Sequence, residues 1–282
     1  MIESSRSRQE PLQIQRGNRL FESLYTRLVL GVPWIHRALI RVLLPDVDLP
    51  VELFGSRLQI NKRKEAGYWR AHRVARSSPV LWNESGALVS LALILAPGDT
   101  FVDVGANVGL FSSSLARYRH LHPSVRFYAF EANPDTAERL RRSVLAGDVT
   151  VFDVAASNRA GILKFVKGST SLTFGVADSG GAHQLNEGTV EVPARRLDEM
   201  DILGDSLVVK IDVENHERQV LEGATGLFDA ARVKAVYLDN YADPAVPRFL
   251  TDRGFTLFDG RTLSPGCSSS LLAVRSDTIG SS

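Results

Sequence analysis

The chain has 282 residues, 44% hydrophobic and 23% charged, with 22 Gly and 12 Pro. That usage excludes disorder, collagen-like repeats and low complexity, and the length suffices to bury a core. A formal net charge of +1 excludes a global field that recruits nucleic acid, and a single cysteine, Cys267, excludes internal disulfides and cysteine-only metal clusters.

The N-terminal stretch MIESSRSRQEPLQIQRGN is polar and lacks the apolar run of a secretory signal. No uninterrupted apolar segment approaches the ~20 residues of a membrane span, so a cytoplasmic protein is expected. Met1 to Pro45 carries seven Arg against three Glu. Within it Leu20, Phe21, Leu24, Tyr25 and Leu28, then Ile35, Leu39, Ile40 and Leu43, recur at helical spacing. One reading is an interfacial helix making peripheral contact with anionic membrane. The favoured one is a pair of short helices packed on the domain or on a partner subunit. The oligomeric state is open.

Val47 to Asn61 alternates and predicts a hairpin. Lys62 to Ser78 is charged, a helix or a loop, and a buried helix is expected over Asn83 to Ala96, stopped by Pro97-Gly98. From Gly98 a strand–helix rhythm begins. Strands are expected at Thr100–Val104, Val125–Phe130, Val149–Ala155, Leu207–Ile211 and Val233–Leu238. Helices follow at Val108–Arg119, Asp135–Ala146, Glu217–Phe228 and Pro244–Arg253. Phe255–Phe258 and Ser270–Val274 close the sheet as an antiparallel pair. Gly161 to Pro193 breaks the rhythm and reads as an insertion of strands and loops. Alternating units of this kind predict an α/β fold with a doubly wound, mostly parallel sheet.

In such sheets ligands sit at the carboxyl ends of the strands, where the winding reverses. The first strand there runs into Asp103-Val104-Gly105-Ala106-Asn107-Val108-Gly109. Gly105 and Gly109 allow a tight turn and close backbone approach. Glu131, at the end of the next strand, suits ribose hydroxyls. A dinucleotide fingerprint would place Gly at position 107; Asn107 stands there, and Asp103 would repel phosphate while suiting an ammonium. A ligand with ammonium, carboxylate and ribose is S-adenosylmethionine.

These residues, with FEANP (Phe130 to Pro134), VAASNRAG (Val154 to Gly161), the Ser169 to Leu172 stretch, RRLDEM (Arg195 to Met200) and VVKIDVENHERQVLEGA (Val208 to Ala224), resemble the FkbM family. The resemblance covers residues 98 to 224 in order. It implies a Rossmann-like class I methyltransferase that methylates hydroxyls of carbohydrates or natural products with S-adenosylmethionine. It assigns Asp103, Gly105, Asn107 and Gly109 to the cofactor loop and Glu131 to the ribose. Lys210, Asp212, Glu214 and Glu217 fall on the family's late acidic motif. Asn215 replaces the usual glycine there, and Asn tolerates positive φ well.

A hydroxyl acceptor gains from a base, and the candidates are Asp212, Glu214 and His216, with His216 favoured for an ordinary pKa of about 6.5. Asp212 and Glu214 share a face if their strand continues. Asp153 is expected either at the adenine or as a turn cap, and Glu84 near the cofactor pocket. Asp239-Asn240 with Asp212 resembles the magnesium site of catechol-type methyltransferases. The favoured reading is a simple turn, so the metal is unassigned and Mg²⁺ disfavoured. The expected organisation is a helical and hairpin extension over 1–82, the methyltransferase domain over 83–276 and a C-terminal tail over 277–282. The expected partner is a small-molecule or glycan hydroxyl compound, not nucleic acid. The rival readings are a nicotinamide-dependent oxidoreductase and a non-catalytic, membrane-docked scaffold.

Overall fold

The computed structural model describes residues 44–73, 79–117, 124–144, 147–166, 175–176 and 188–276. The basic leader, the Ser169 to Leu172 stretch and the 277–282 tail lie outside them.

Strands β1 (Asp48–Leu53) and β2 (Ser56–Asn61) form the expected hairpin. Its two-residue turn, Phe54-Gly55, has φ of 47° and 74°, the left-handed pair that matches strand twist. Helix α1 (Ala66–Arg73) follows, then α2 (Pro79–Ile94). The 82/83 boundary therefore falls inside the first turn of α2. One face of α2 is buried through Ala87, Leu88 and Leu91, whereas Trp82, Val89 and Leu93 are exposed, so the helix is apolar without being enclosed.

The remaining elements are β3 (Thr100–Val104), α3 (Leu110–Arg117), β4 (Arg126–Phe130), α4 (Pro134–Ser143), β5 (Thr150–Phe152), β6 (Ala155–Ala156), β7 (Gly161–Val166), β8 (Gly175–Val176), β9 (Thr189–Arg195), β10 (Leu207–Ile211), α5 (Glu217–Glu222), α6 (Thr225–Asp229), β11 (Val233–Asp239), α7 (Ala245–Thr251), β12 (Phe255–Asp259) and β13 (Ser270–Arg275). Seven of the strands form one sheet in the order β12-β13-β11-β10-β3-β4-β5. The pairs from β11 to β5 are parallel, while β13 runs antiparallel to both β11 and β12. The winding reverses between β3 and β10, where an open α/β sheet leaves a crevice.

Alternation decides which residues face which layer. Phe101, Val208, Ala235 and Tyr237 pack with the hairpin (Leu58, Ile60), α2 and α3. Val102, Val104, Val209, Ile211 and Val236 pack with α5, α6 and α7 on the other side. The hairpin thus shares the core of the sheet. Buried Arg139 of α4 is tied to buried Glu65 at 2.9 Å, which fixes the approach to α1.

Two expected elements divide. The third strand stops at Phe152, and Ala155–Ala156 joins a second sheet, β6-β9-β7-β8, around Phe165, Val192 and Ala194. The helix expected over Glu217–Phe228 breaks at Gly223-Ala224. A Cβ on Gly223 would lie 1.9 Å from the Ser157 carbonyl oxygen, so this break is where the helix pair meets the second sheet. No helix among the described residues is long and apolar enough to cross a membrane.

Candidate active site

A cleft opens at the switch point, between the carboxyl ends of β3, β4 and β10 and the second sheet. Its wall includes Gly105, Asn107, Phe130, Glu131, Asp212, Glu214 and His216, with Ala155, Phe165 and Val176 contributed by the second sheet.

Gly105 is at φ +73°, and a Cβ there would lie 1.9 Å from the Asp212 carbonyl oxygen. The glycine lets the two loops touch. Gly109 (φ +87°) serves packing instead, since its Cβ would meet Leu140 of α4 at 2.4 Å. Asn107 has φ +50° and donates its N–H to Glu131 Oε2 at 2.8 Å. Glu131 Oε1 accepts from Asn133 N at 2.8 Å. Burial pushes the Glu131 carboxyl up to about 7, partly offset by those two backbone bonds. Each carboxyl oxygen keeps a further lone pair. Asn107 Oδ1 is buried with no hydrogen-bond partner among the described residues.

Asp103 corrects the sequence reading. It is fully buried and absent from the cleft wall, and the ammonium it meets is Lys210's, at 3.2 Å. Its other oxygen accepts from Ser112 Oγ at 2.7 Å and Ser112 N at 3.2 Å. Lys210 lies beside it in register and also donates to Gly105 O at 2.9 Å. Burial opposes the Lys210 charge, but Asp103, Asp212 and Glu84 outweigh it and hold the ammonium above its ordinary range. A lysine inside the apolar strand Leu-Val-Val-Lys-Ile was the visible sign of this pair.

Beyond Ile211 the strand ends, so Asp212 and Glu214 do not share a strand face. Glu214 and Asn215 take φ of 36° and 66° instead. Asn215 N bonds Glu217 Oε1 at 3.1 Å, closing the turn onto α5. Asp212 lies 3.6 Å from Lys210 Nζ, and burial still raises its pKa. Glu214 is exposed at the cleft mouth. Partial desolvation and the charges of Asp212, Glu217 and Asp239 push it up to about 7.

His216 overturns its premise of an ordinary pKa. Burial pushes it down to about 4, and Nε2 lies 3.0 Å from Ser157 Oγ. It is neutral at pH 7 and ties the start of α5 to the second sheet. Asp153 is likewise not at the cleft: it pairs with Arg141 at 3.0 Å and is mostly exposed. Asp239 is bound by Arg261 at 2.8 Å, so it is not a free metal ligand, and the described residues hold no group of three His, Cys, Asp or Glu placed for a metal ion.

Arg261, Tyr68 and Ser157 escaped sequence reasoning, whereas Glu84 was expected near the cofactor pocket. Arg261 packs against Gly86 of α2, bringing that helix over the ends of β10 and β11. Glu84 on α2 thereby comes within range of Asp212, Asp239, Lys210 and Arg261; burial first, then Asp212 and Asp239, push it up to about 8. Tyr68 stands in the same field, its phenol held well above its ordinary range by burial and by Glu84, Asp212 and Asp103. No motif marks Tyr68 or Arg261. Ser157 was quoted only within a family segment.

The doubly wound sheet, its C-terminal antiparallel pair and the switch-point cleft with Glu131 after the end of β4 define the class: an α/β protein of Rossmann-like architecture. The methyltransferase FkbM domain model matches residues 103–257, more than half of the sequence, and the chain belongs to that family. It is 28% identical over 152 residues to the hexuronic acid methyltransferase AglP of Haloferax volcanii, covering 52% of this chain and 58% of that protein. Among solved structures it is similar to methyltransferase FkbM from Methylobacillus flagellatus KT (14% identity, TM-score 0.37, 69% of this chain and 59% of that one). It is also similar to a TehB-like SAM-dependent methyltransferase from Corynebacterium glutamicum (12% identity, TM-score 0.42, 74% and 93%). The chain thus spans under two thirds of both AglP and the FkbM structure.

Proposed function

We propose that this protein is an S-adenosylmethionine-dependent O-methyltransferase acting on a hydroxyl of a carbohydrate or natural-product acceptor. The observation that carries the reading is the joining of Glu131, Asn107 and Gly105 on one wall of the cleft with Asp212 and Glu214 on the other. The residues fit the cofactor. Glu131 keeps lone pairs for ribose hydroxyls, and Gly105 lets the β3 loop and the Asp212 loop touch beside them. When bound, S-adenosylmethionine supplies an electrophilic methyl group.

Glu214 is the residue to take the acceptor proton. Its pKa of about 7 matches the working pH of a general base, and it is exposed at the cleft mouth. His216 is too weakly basic and acts as a tether. Asp212, held beside Lys210, orients acceptor hydroxyls. A carbohydrate acceptor is supported by AglP, named for a hexuronic acid. The nicotinamide reading is disfavoured by Asn107, which stands where pyrophosphate needs glycine.

The test is transfer of a radiolabelled methyl group from S-adenosylmethionine to a panel of hydroxylated glycosides and polyketides, with Glu214→Gln as control. Labelled product with wild type and a loss of about 10²-fold or more in the variant supports the assignment. Undiminished transfer in Glu214→Gln removes the base.

A further inference from the structure

Helix α2 presents an apolar line to solvent. Trp82, Val89 and Leu93 are 73%, 57% and 68% exposed and lie on this one helix. Their spacing of seven and then four residues puts them within about 40° of one line at 3.6 residues per turn. That line is opposite the face buried through Ala87, Leu88 and Leu91. Ser85, Gly86 and Ala92 flank it, so this face of the helix carries no charge. The single charged residue of α2, Glu84, is within range of Asp212, Lys210, Asp239 and Arg261 on the cleft side. A solvated helix face is polar, whereas a helix that is apolar on every side is covered on every side.

The spacing itself points to the occupant. Trp82, Gly86, Val89 and Leu93 follow a four-three-four step, the d-a-d-a seam of a heptad. The seam is symmetric about the point between Ala87 and Leu88. Turned end for end about that point, a second α2 sets Trp82 opposite Leu93 of the partner subunit and Gly86 opposite Val89 of the partner subunit. Large residues meet at the ends, and at the centre the glycine admits the valine. A surface that complements itself under a twofold rotation is what an isologous dimer requires. Ser90 Oγ donates to Gly260 O at 2.8 Å and Arg261 packs against one side of Gly86, so the loop that carries exposed Leu263 is anchored to the same helix. The seam supplies an apolar centre and this loop a rim, toward the roughly 800 Å² per partner of a standard interface. A membrane surface is the poorer occupant. Helices that lie on anionic lipid carry Lys and Arg on their polar face, and α2 has neither.

We propose that the outer face of α2 is a homodimer interface, in which two copies pack α2 against α2 antiparallel through Trp82, Gly86, Val89 and Leu93. Because the same helix brings Glu84 to the cleft, the pairing also braces α2 over the ends of β10 and β11 from outside.

The experiment is sedimentation velocity of the full chain over a concentration series, for the wild type and Leu93→Glu. The wild type is expected to sediment as a dimer, and a carboxylate placed in the apolar seam to raise its dissociation constant ~100-fold or more. A wild type that stays monomeric up to about 100 μM overturns the proposal, as does a dimer indifferent to Leu93→Glu. Cross-linking tests the pairing without a disruptive charge. In a Cys267→Ser background, which removes the exposed native thiol, Trp82→Cys chains mixed with Leu93→Cys chains are expected to link between copies on oxidation, and Leu93→Cys chains alone are not. Linking of Leu93→Cys alone, or none in the mixture, overturns the antiparallel pairing. Pelleting of the wild type with phosphatidylserine vesicles, lost in Leu93→Glu, makes lipid the occupant instead. A link within one chain between Leu24→Cys and Leu93→Cys makes the N-terminal leader the occupant. Either result overturns the proposal.

Discussion

The two sides of the cleft hold their acidic groups differently. On the β3–β4 side, Glu131 accepts two backbone N–H bonds at 2.8 Å, and Asp103 is enclosed with Lys210 and Ser112. On the β10–β11 side, Glu214 is exposed and Glu84 is half-buried, and burial, with the carboxylates of Asp212 and Asp239, raises the pKa of both. The first side is a finished structural network, in which removing one member leaves a buried group unpaired. The second holds carboxyls that burial and neighbouring carboxylates shift toward the protonated form. Breaking the Asp103–Lys210 pair is therefore expected to cost stability, whereas changing Glu214 is expected to alter function.

The largest effect belongs to the first side. Lys210→Met leaves Asp103, fully buried, without its ammonium, and breaking a buried pair costs about 3–5 kcal/mol. Urea denaturation checks this, and adding Asp103→Asn is expected to restore much of the loss. Gly105→Ala comes next. The strain at φ +73° and the clash with Asp212 O are expected to cost at least about 2 kcal/mol. Thermal unfolding and cofactor titration should fail together.

On the second side the expected changes are functional. Glu214 must be deprotonated to accept a proton, so the rate should rise with pH through about 7, and Glu214→Gln should abolish that rise. A pH–rate profile unchanged by the variant would place the base elsewhere. Glu84 is expected to shape stability against pH. Its folded pKa, about 8, lies above its ordinary 4.5, so the folded state binds the proton more tightly. That contribution is fully present below about pH 4.5 and is lost as pH rises through about 8. Glu84→Gln should therefore gain stability relative to wild type across this window, read as melting temperature against pH. The smallest effect sharpens the boundary of the site. Arg141→Ala breaks only an exposed pair with Asp153 and should cost no more than about 1 kcal/mol, with cofactor affinity unchanged.

The same contrast explains what was legible in the sequence. β3 and β10 match their expected bounds because buried parallel strands are short apolar runs with clear ends. The loop glycines, Asn107 and Glu131 were legible because one local turn positions them. Asp103 and Asp153 were misplaced because their partners, Lys210 and Arg141, are set by strand register and helix docking, which local pattern does not encode. His216 looked like a base from its ordinary pKa, and only enclosure beside Ser157 reveals its tethering role. The break at Gly223 answers a carbonyl on another sheet. Arg261 reaches the site through the packing of α2 on the loop after β12, with no motif to announce it.

The central claim is that the β3–β4 wall receives an adenosyl cofactor through Glu131. Calorimetric titration of the wild type and Glu131→Ala with S-adenosylmethionine, its demethylated product and NAD⁺ tests it most directly. The account predicts binding of S-adenosylmethionine to the wild type, weakened by about tenfold or more in the variant, and no comparable binding of NAD⁺. Binding of NAD⁺ alone, or S-adenosylmethionine binding indifferent to Glu131, would contradict it.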